Sequence, residues 1–157
     1  MNGAALVIDT SLLVLFVVGS TRRELIERHK RLRAFSPDDF ELLRRLVAAA
    51  TQVLVTPNTL TEASNLIGQI DEPARSQIRE TFRRVVLASE EEYLSSRSAV
   101  AAPEFIRLGL TDATLLEVVH GTRSLLTTDF DLYQAVLRRG AVAVNFNHLR
   151  EEQSTAV

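Results

Sequence analysis

Ala5-Leu6-Val7-Ile8-Asp9-Thr10-Ser11-Leu12 decides the fold. Ala5 to Ile8 is an unbroken apolar run, the pattern of a strand buried on both faces, and such strands belong to parallel sheets covered by helices. The run ends on a carboxylate. Thr10 to Val18 then carries a strongly apolar helix closed by Gly19. In open α/β sheets, functional groups collect just beyond the carboxyl ends of the strands. A carboxylate set between Val7-Ile8 and so apolar a helix is costly to bury without partners, which makes Asp9 the sharpest functional clue in the chain.

Working outward, Ser36-Pro37-Asp38-Asp39 reads as a helix start, with a capping serine, proline in the first turn and acids facing the helix dipole. Phe40, Leu43, Leu46, Val47 and Ala50 supply its buried face. Gln52 to Val55 is a second strand. Thr56-Pro57 opens a helix to about Ile70, and Asp71-Glu72-Pro73 opens another to about Leu87. A short helix is expected over Tyr93 to Ala101, with a break at Pro103. Thr111 caps a helix from Asp112 to about His120, Arg123 to Leu126 is a third strand, Phe130 to Arg138 a helix, and Ala141 to Val144 a fourth strand. Strands alternating with helices predict a mostly parallel sheet of four to five strands in three α/β/α layers. The domain is expected over residues 1–150, with residues 151–157 as a tail.

At 157 residues the chain suits one domain with its own core, and it contains no cysteine. Disulfides, zinc–thiolate sites and cysteine nucleophiles are therefore excluded, and a reducing compartment is expected. Leu12 to Val18 is too short to span a bilayer and no basic residue precedes it, so a cytoplasmic location is expected. The formal net charge of −2 argues against tight binding of nucleic acid by the whole surface. The cations are instead concentrated: Arg22, Arg23, Arg28, Lys30, Arg31 and Arg33 crowd one short segment, a basic flap that either touches RNA or is a solvated face.

Four acids from distant segments are placed to converge. Asp9 follows the first strand and Asp129 the third, Glu62 lies in the helix after the second strand, and Asp112 opens the helix before the third. Taken singly, Asp112 and Asp129 could merely complement helix dipoles, and Glu62 could be a solvated helix residue. Clustered, they would repel and raise one another's pKa, unless a divalent cation such as Mg2+ or Mn2+ held them together. Such an ion can activate water and stabilise charge on a phosphodiester without histidine or cysteine. His29, His120 and His148 show no ligand-like spacing. Asn58, Glu62, Asn65 and Gln69 fall on one helix face as a polar stripe that either faces solvent or lines the metal pocket. Arg75, Arg79 and Arg83 form a second stripe, read first as a solvated face.

These segments resemble the PIN-domain ribonucleases. Val7-Ile8-Asp9-Thr10-Ser11 is similar to that family's opening motif, and Thr56-Pro57-Asn58-Thr59-Leu60-Thr61-Glu62 to the segment bearing its glutamate. Leu108-Gly109-Leu110-Thr111-Asp112-Ala113 and Leu126-Thr127-Thr128-Asp129 resemble its third and fourth acidic motifs. The resemblance runs in order from Val7 to about Asn147. It implies a Rossmann-like α/β/α fold and Mg2+- or Mn2+-dependent RNA cleavage. By position, Asp9, Asp112 and Asp129 would be metal ligands, and Glu62 a ligand or an organiser of metal waters. Ser11 and Thr127 would hold carboxylates, with Asn58 and Asn65 in support and Asp131 sharing the role of Asp129. The resemblance also raises a toxin–antitoxin pair. The basic insert and the long helical segment after Glu62 set this chain apart from the most compact toxin-type members.

A dehalogenase-type phosphatase would need an acid where Ser11 stands, and a receiver domain would need a late lysine, whereas Lys30 is the sole lysine. No glycine-rich turn follows the first strand, so a dinucleotide site is excluded. The standing alternative is a catalytically silent PIN-like module that binds RNA or protein. Apolar faces at Leu12 to Val18 and Ile78 to Leu87 are offered for a homodimer, and an antitoxin or other regulatory protein is a further partner to test.

Overall fold

The computed structural model describes residues 3–156 of the chain. β1 (Ala5–Ile8) feeds α1 (Thr10–Thr21), followed by α2 (Glu24–Arg28), a 3-10 turn (Lys30–Leu32) and α3 (Pro37–Ala49). β2 (Gln52–Val55), α4 (Pro57–Ile67), α5 (Ala74–Ala88) and β3 (Glu90–Glu91) come next, then α6 (Ser96–Val100), α7 (Phe105–Leu108) and α8 (Leu110–Val118). β4 (Ser124–Thr127), α9 (Phe130–Arg138), β5 (Val142–Asn145) and α10 (Phe146–Thr155) complete the order. The strands form one sheet, β3-β2-β1-β4-β5, and every pairing is parallel.

Side chains alternate across this sheet and so build two cores. Leu6, Ile8, Val55 and Leu126 face α1, α3, α4 and α5, with Phe146 of α10 closing the same side. Val7, Leu54 and Leu125 face α8 and α9 through Leu115, Leu116, Leu132 and Val136. The result is a three-layer α/β/α, Rossmann-like molecule. α1 is the central helix of its layer, buried at Leu12, Leu13, Val14, Leu15, Val17 and Val18. A helix apolar on nearly all sides is stable only inside a core. This corrects one expectation: Leu12 to Val18 is not a surface for a second copy, because the monomer already covers it.

The expected helix starts and ends shift where backbone chemistry differs from composition. Ser36 and Asp39 form the reciprocal capping box that opens α3, as expected. α8 begins at Leu110 behind Gly109, whose φ of 82° turns the chain, so Thr111 is inside the helix and not its cap. The basic segment breaks at His29 into α2 and the 3-10 turn. α10 continues through residues expected to form a tail. β3 has only two residues, both exposed glutamates that form a charged edge.

Topology sets the position of the site. β1 sits mid-sheet, with the chain crossing first to β2 on one side and later to β4 on the other. The crevice beyond the carboxyl ends of β1 and β4 is thus the switch point at which α/β sheets hold ligands.

Candidate metal centre

Asp9 is buried (5% exposed) at the end of β1 and caps α1. Its Oδ1 accepts from Leu12 N at 3.0 Å and from Ser11 Oγ at 3.2 Å. Its Oδ2 accepts from Thr127 Oγ1 and, at 2.9 Å, from Thr128 N. Four donors meet the roughly four lone-pair directions of a carboxylate, which is how the sequence tolerates a charge at this depth. Burial pushes the Asp9 carboxyl above its ordinary range, against the pull of those four hydrogen bonds.

Thr127 closes β4 and is buried between two acids, because Asp129 N donates to its Oγ1 at 2.9 Å. Asp129 is exposed and caps α9, accepting from Leu132 N at its Oδ1. Asp112 stands in the first turn of α8, and its carboxylate makes no hydrogen bond to any described residue. Burial pushes its carboxyl up to about 7, and the charges of Asp129, Asp9 and Glu62 act in the same direction. Glu62, exposed on α4, accepts from Thr10 Oγ1 at 3.1 Å. All four acids, with Thr10, Ser11, Asn65 and Thr128, line one open cavity of about 650 Å³.

The structure therefore brings together Asp9, Glu62, Asp112 and Asp129, with Ser11 and Thr127 on Asp9 and Asn65 on the wall. Asn58 and Asp131 do not line the cavity. Asp131 is exposed in the first turn of α9, too far round the helix from its N-terminus to replace Asp129, which the capping bond fixes. Nor does the basic segment line it. Arg23 is committed to Glu41 at 2.6 Å and lies over the Phe40 ring, Arg22 pairs with Glu24, and Arg33 borders a separate cleft beside Arg150. Thr10 and Thr128 have no role expected from the sequence, and each serves an acid other than its chain neighbour: Thr10 Oγ1 donates to Glu62 and Thr128 N to Asp9.

The donor set is all oxygen, which suits a hard divalent cation. As the side chains lie, no group of three or more His, Asp or Glu among the described residues is close enough together to hold a metal ion. Magnesium commonly takes only one or two carboxylates and keeps its waters, so a hydrated ion is the form these separated acids could take. The crowding of charge on Asp112, which has no hydrogen-bonding partner, is what such an ion would relieve.

No family model matches the sequence, and no curated protein matches it. Among solved structures, the chain is similar to a domain of a functionally unknown protein from Methanocaldococcus jannaschii DSM 2661. The two share 15% identity over 91% of each chain, with a TM-score of 0.47.

Proposed function

We propose that the protein is a metal-dependent endoribonuclease that hydrolyses RNA phosphodiester bonds at the Asp9–Glu62–Asp112–Asp129 cavity. The observation that carries this reading is the convergence of four carboxylates at the switch point of the sheet, with Asp112 held near 7 by burial and by the other three. The resemblance of the same four segments to PIN-domain motifs supports it.

Asp112 and the free Oδ2 of Asp129 would hold the cation. Asp9 joins them if Ser11 turns its hydroxyl toward Thr128 Oγ1, 3.1 Å away, and so releases a lone pair on Asp9 Oδ1. Magnesium or manganese, when bound, supplies the Lewis acidity that makes water nucleophilic and offsets charge developing on the phosphate. Thr127 holds Asp9 and Asp129 in register, so two ligands from different strands move as one unit. Thr10 orients Glu62, whose exposed carboxylate can accept a proton from the attacking water. Asp112, with a carboxyl near 7, gives up its proton as the cation arrives.

A silent binding module is the second reading, favoured by the full hydrogen-bonding of Asp9 and the spread of the carboxylates. Incubation of a mixed single-stranded and structured RNA pool with Mg2+, Mn2+ or chelator separates the two. Wild-type protein is expected to cut only with metal, and Asp9→Asn to lose at least about a hundredfold in rate, the scale of one lost metal or electrostatic group. Metal-independent or equal cutting by both proteins would overturn the nuclease, and absence of cutting by either would favour the module.

A further inference from the structure

The polar stripe on α4 does not end at the carboxylates. Glu62 and Asn65 line the acidic cavity, while Gln69, on the same face just past the helix end, lines a second cavity of about 490 Å³. Gln69 lies seven residues beyond Glu62 in the chain, two of them past the end of α4. Arg28, Lys30 and Arg75 border this second cavity, with Asp71 also on its wall. Arg31 donates to Gln69 Oε1 at 2.7 Å. Arg28, Lys30 and Arg31 are exposed, and among the described residues they form no ion pair; Arg75 pairs with the neighbouring Glu72 at 3.1 Å, and Arg23, Arg123, Arg139 and Arg150 are each committed to acids.

A built contact anchors the backbone of the turn that carries these exposed cations. His29 is fully buried, and its Nδ1 accepts from Arg31 N at 3.2 Å. That bond fixes the proton on Nε2, which lies 3.3 Å from the carbonyl of Ile67 and donates to it. The backbone of the basic turn is therefore pinned to the end of α4, while the side chains of Arg28, Lys30 and Arg31 stay exposed. The dipole of α4 draws cations to its C-terminus but leaves their outward N–H groups unspent.

We infer that the Arg28–Lys30–Arg75 cavity is a phosphate subsite for single-stranded RNA whose scissile bond lies at the carboxylates, an inference that rests on the reading above. Cations here take backbone phosphates displaced from the cut, and Asn65 on the wall of the first cavity and Gln69 on that of the second offer amides to bases that only an unpaired strand exposes. The acidic centre repels RNA by itself. A cationic anchor at the other end of the α4 polar stripe supplies the binding that the net charge of −2 does not.

The test is binding of a labelled single-stranded RNA by fluorescence anisotropy across a salt series, in chelator so that nothing is cut. Arg28→Ala/Lys30→Ala/Arg75→Ala is expected to weaken binding at least several-fold and to flatten the slope of log K against log salt by about 2, at ~0.7 per single-strand phosphate contact. Arg45→Ala/Arg97→Ala/Arg138→Ala removes the same charge from exposed sites elsewhere and is expected to change the slope by less than half as much. Lys30→Glu alone, at an exposed position, gives the same direction if the triple variant does not fold. An unchanged slope in the first triple variant, an equal change in both triple variants, or equal competition by duplex RNA would overturn the subsite. RNA binding with the expected slope change but no cutting in metal would leave the subsite standing and sink the nuclease. Cutting by a triple variant that also binds like wild type would do the reverse.

Discussion

Thr127 uses its hydroxyl twice, donating to Asp9 Oδ2 and accepting from Asp129 N. Through it the acid after β1 and the acid after β4 share one support. Thr127→Val keeps the shape but leaves buried Asp9 one donor short. A stability loss of about 1–3 kcal/mol is expected in urea unfolding, with Thr127→Ser restoring most of it. Equal midpoints for wild type and the valine variant would contradict that support. At this scale the sequence is legible where an acid has to be explained. Asp9 stands out because a carboxylate inside an apolar run needs partners, and the four acids do line one cavity. Thr10 and Thr128 are not legible, since a hydroxyl in a first helical turn looks like ordinary capping chemistry and a backbone N–H donor carries no sequence signature. Asp131 looks equivalent to Asp129 by type and proximity, and the structure separates them by the capping bond to Leu132 N and by which of them lines the cavity.

The helices hold the site rigid by packing around α1. Gly19 lies so close to α3 that an added Cβ would stand 2.3 Å from Phe40 Cδ2, and the Phe40 ring is itself buried. Gly19→Ala is therefore expected to overpack the α1–α3 contact and cost about 1–3 kcal/mol in thermal or denaturant unfolding. An unchanged or raised stability would show that Phe40 yields freely. Strands β1, β2, β4 and β5 are readable because short apolar runs bounded by turn residues admit few other structures. β3 is not, because two glutamates pairing with β2 at the edge have neither apolar character nor length. The helix carrying Asp112 starts two residues earlier than its sequence suggests, since the turn there depends on the positive φ of Gly109 and not on a hydroxyl cap. The burial of Leu12 to Val18 is hidden for a different reason: a stretch that is apolar all round does not say whether its cover comes from the same chain or another.

Across the whole molecule, the sheet order brings four carboxylates to one crevice, where burial and the charges of Asp129, Asp9 and Glu62 hold the proton on Asp112. The unfolded chain ionises Asp112 near 3.8, whereas the folded chain keeps that proton to about 7. The contribution of Asp112 to stability is thus intact below about pH 4, falls as the pH rises to 7, and stays lost above it. A tenfold change in proton affinity corresponds to ~1.4 kcal/mol, and partial exposure reduces the effect. Asp112→Asn is therefore expected to stabilise the metal-free protein at pH 8 by about 1–3 kcal/mol. The alternating order of strands and helices makes the parallel, layered architecture readable, but neighbouring strands are chosen by crossovers whose direction no local pattern encodes. The most direct measurement is thermal unfolding at pH 8 of wild type and Asp112→Asn, each in chelator and in Mn2+. The expected result is that the variant melts higher in chelator, while Mn2+ at a hundredfold excess over its Kd raises wild type by about 2.7 kcal/mol of stability and the variant far less. A wild-type transition unmoved by Mn2+, with no gain from Asp112→Asn in chelator, would contradict a cation centre at these carboxylates.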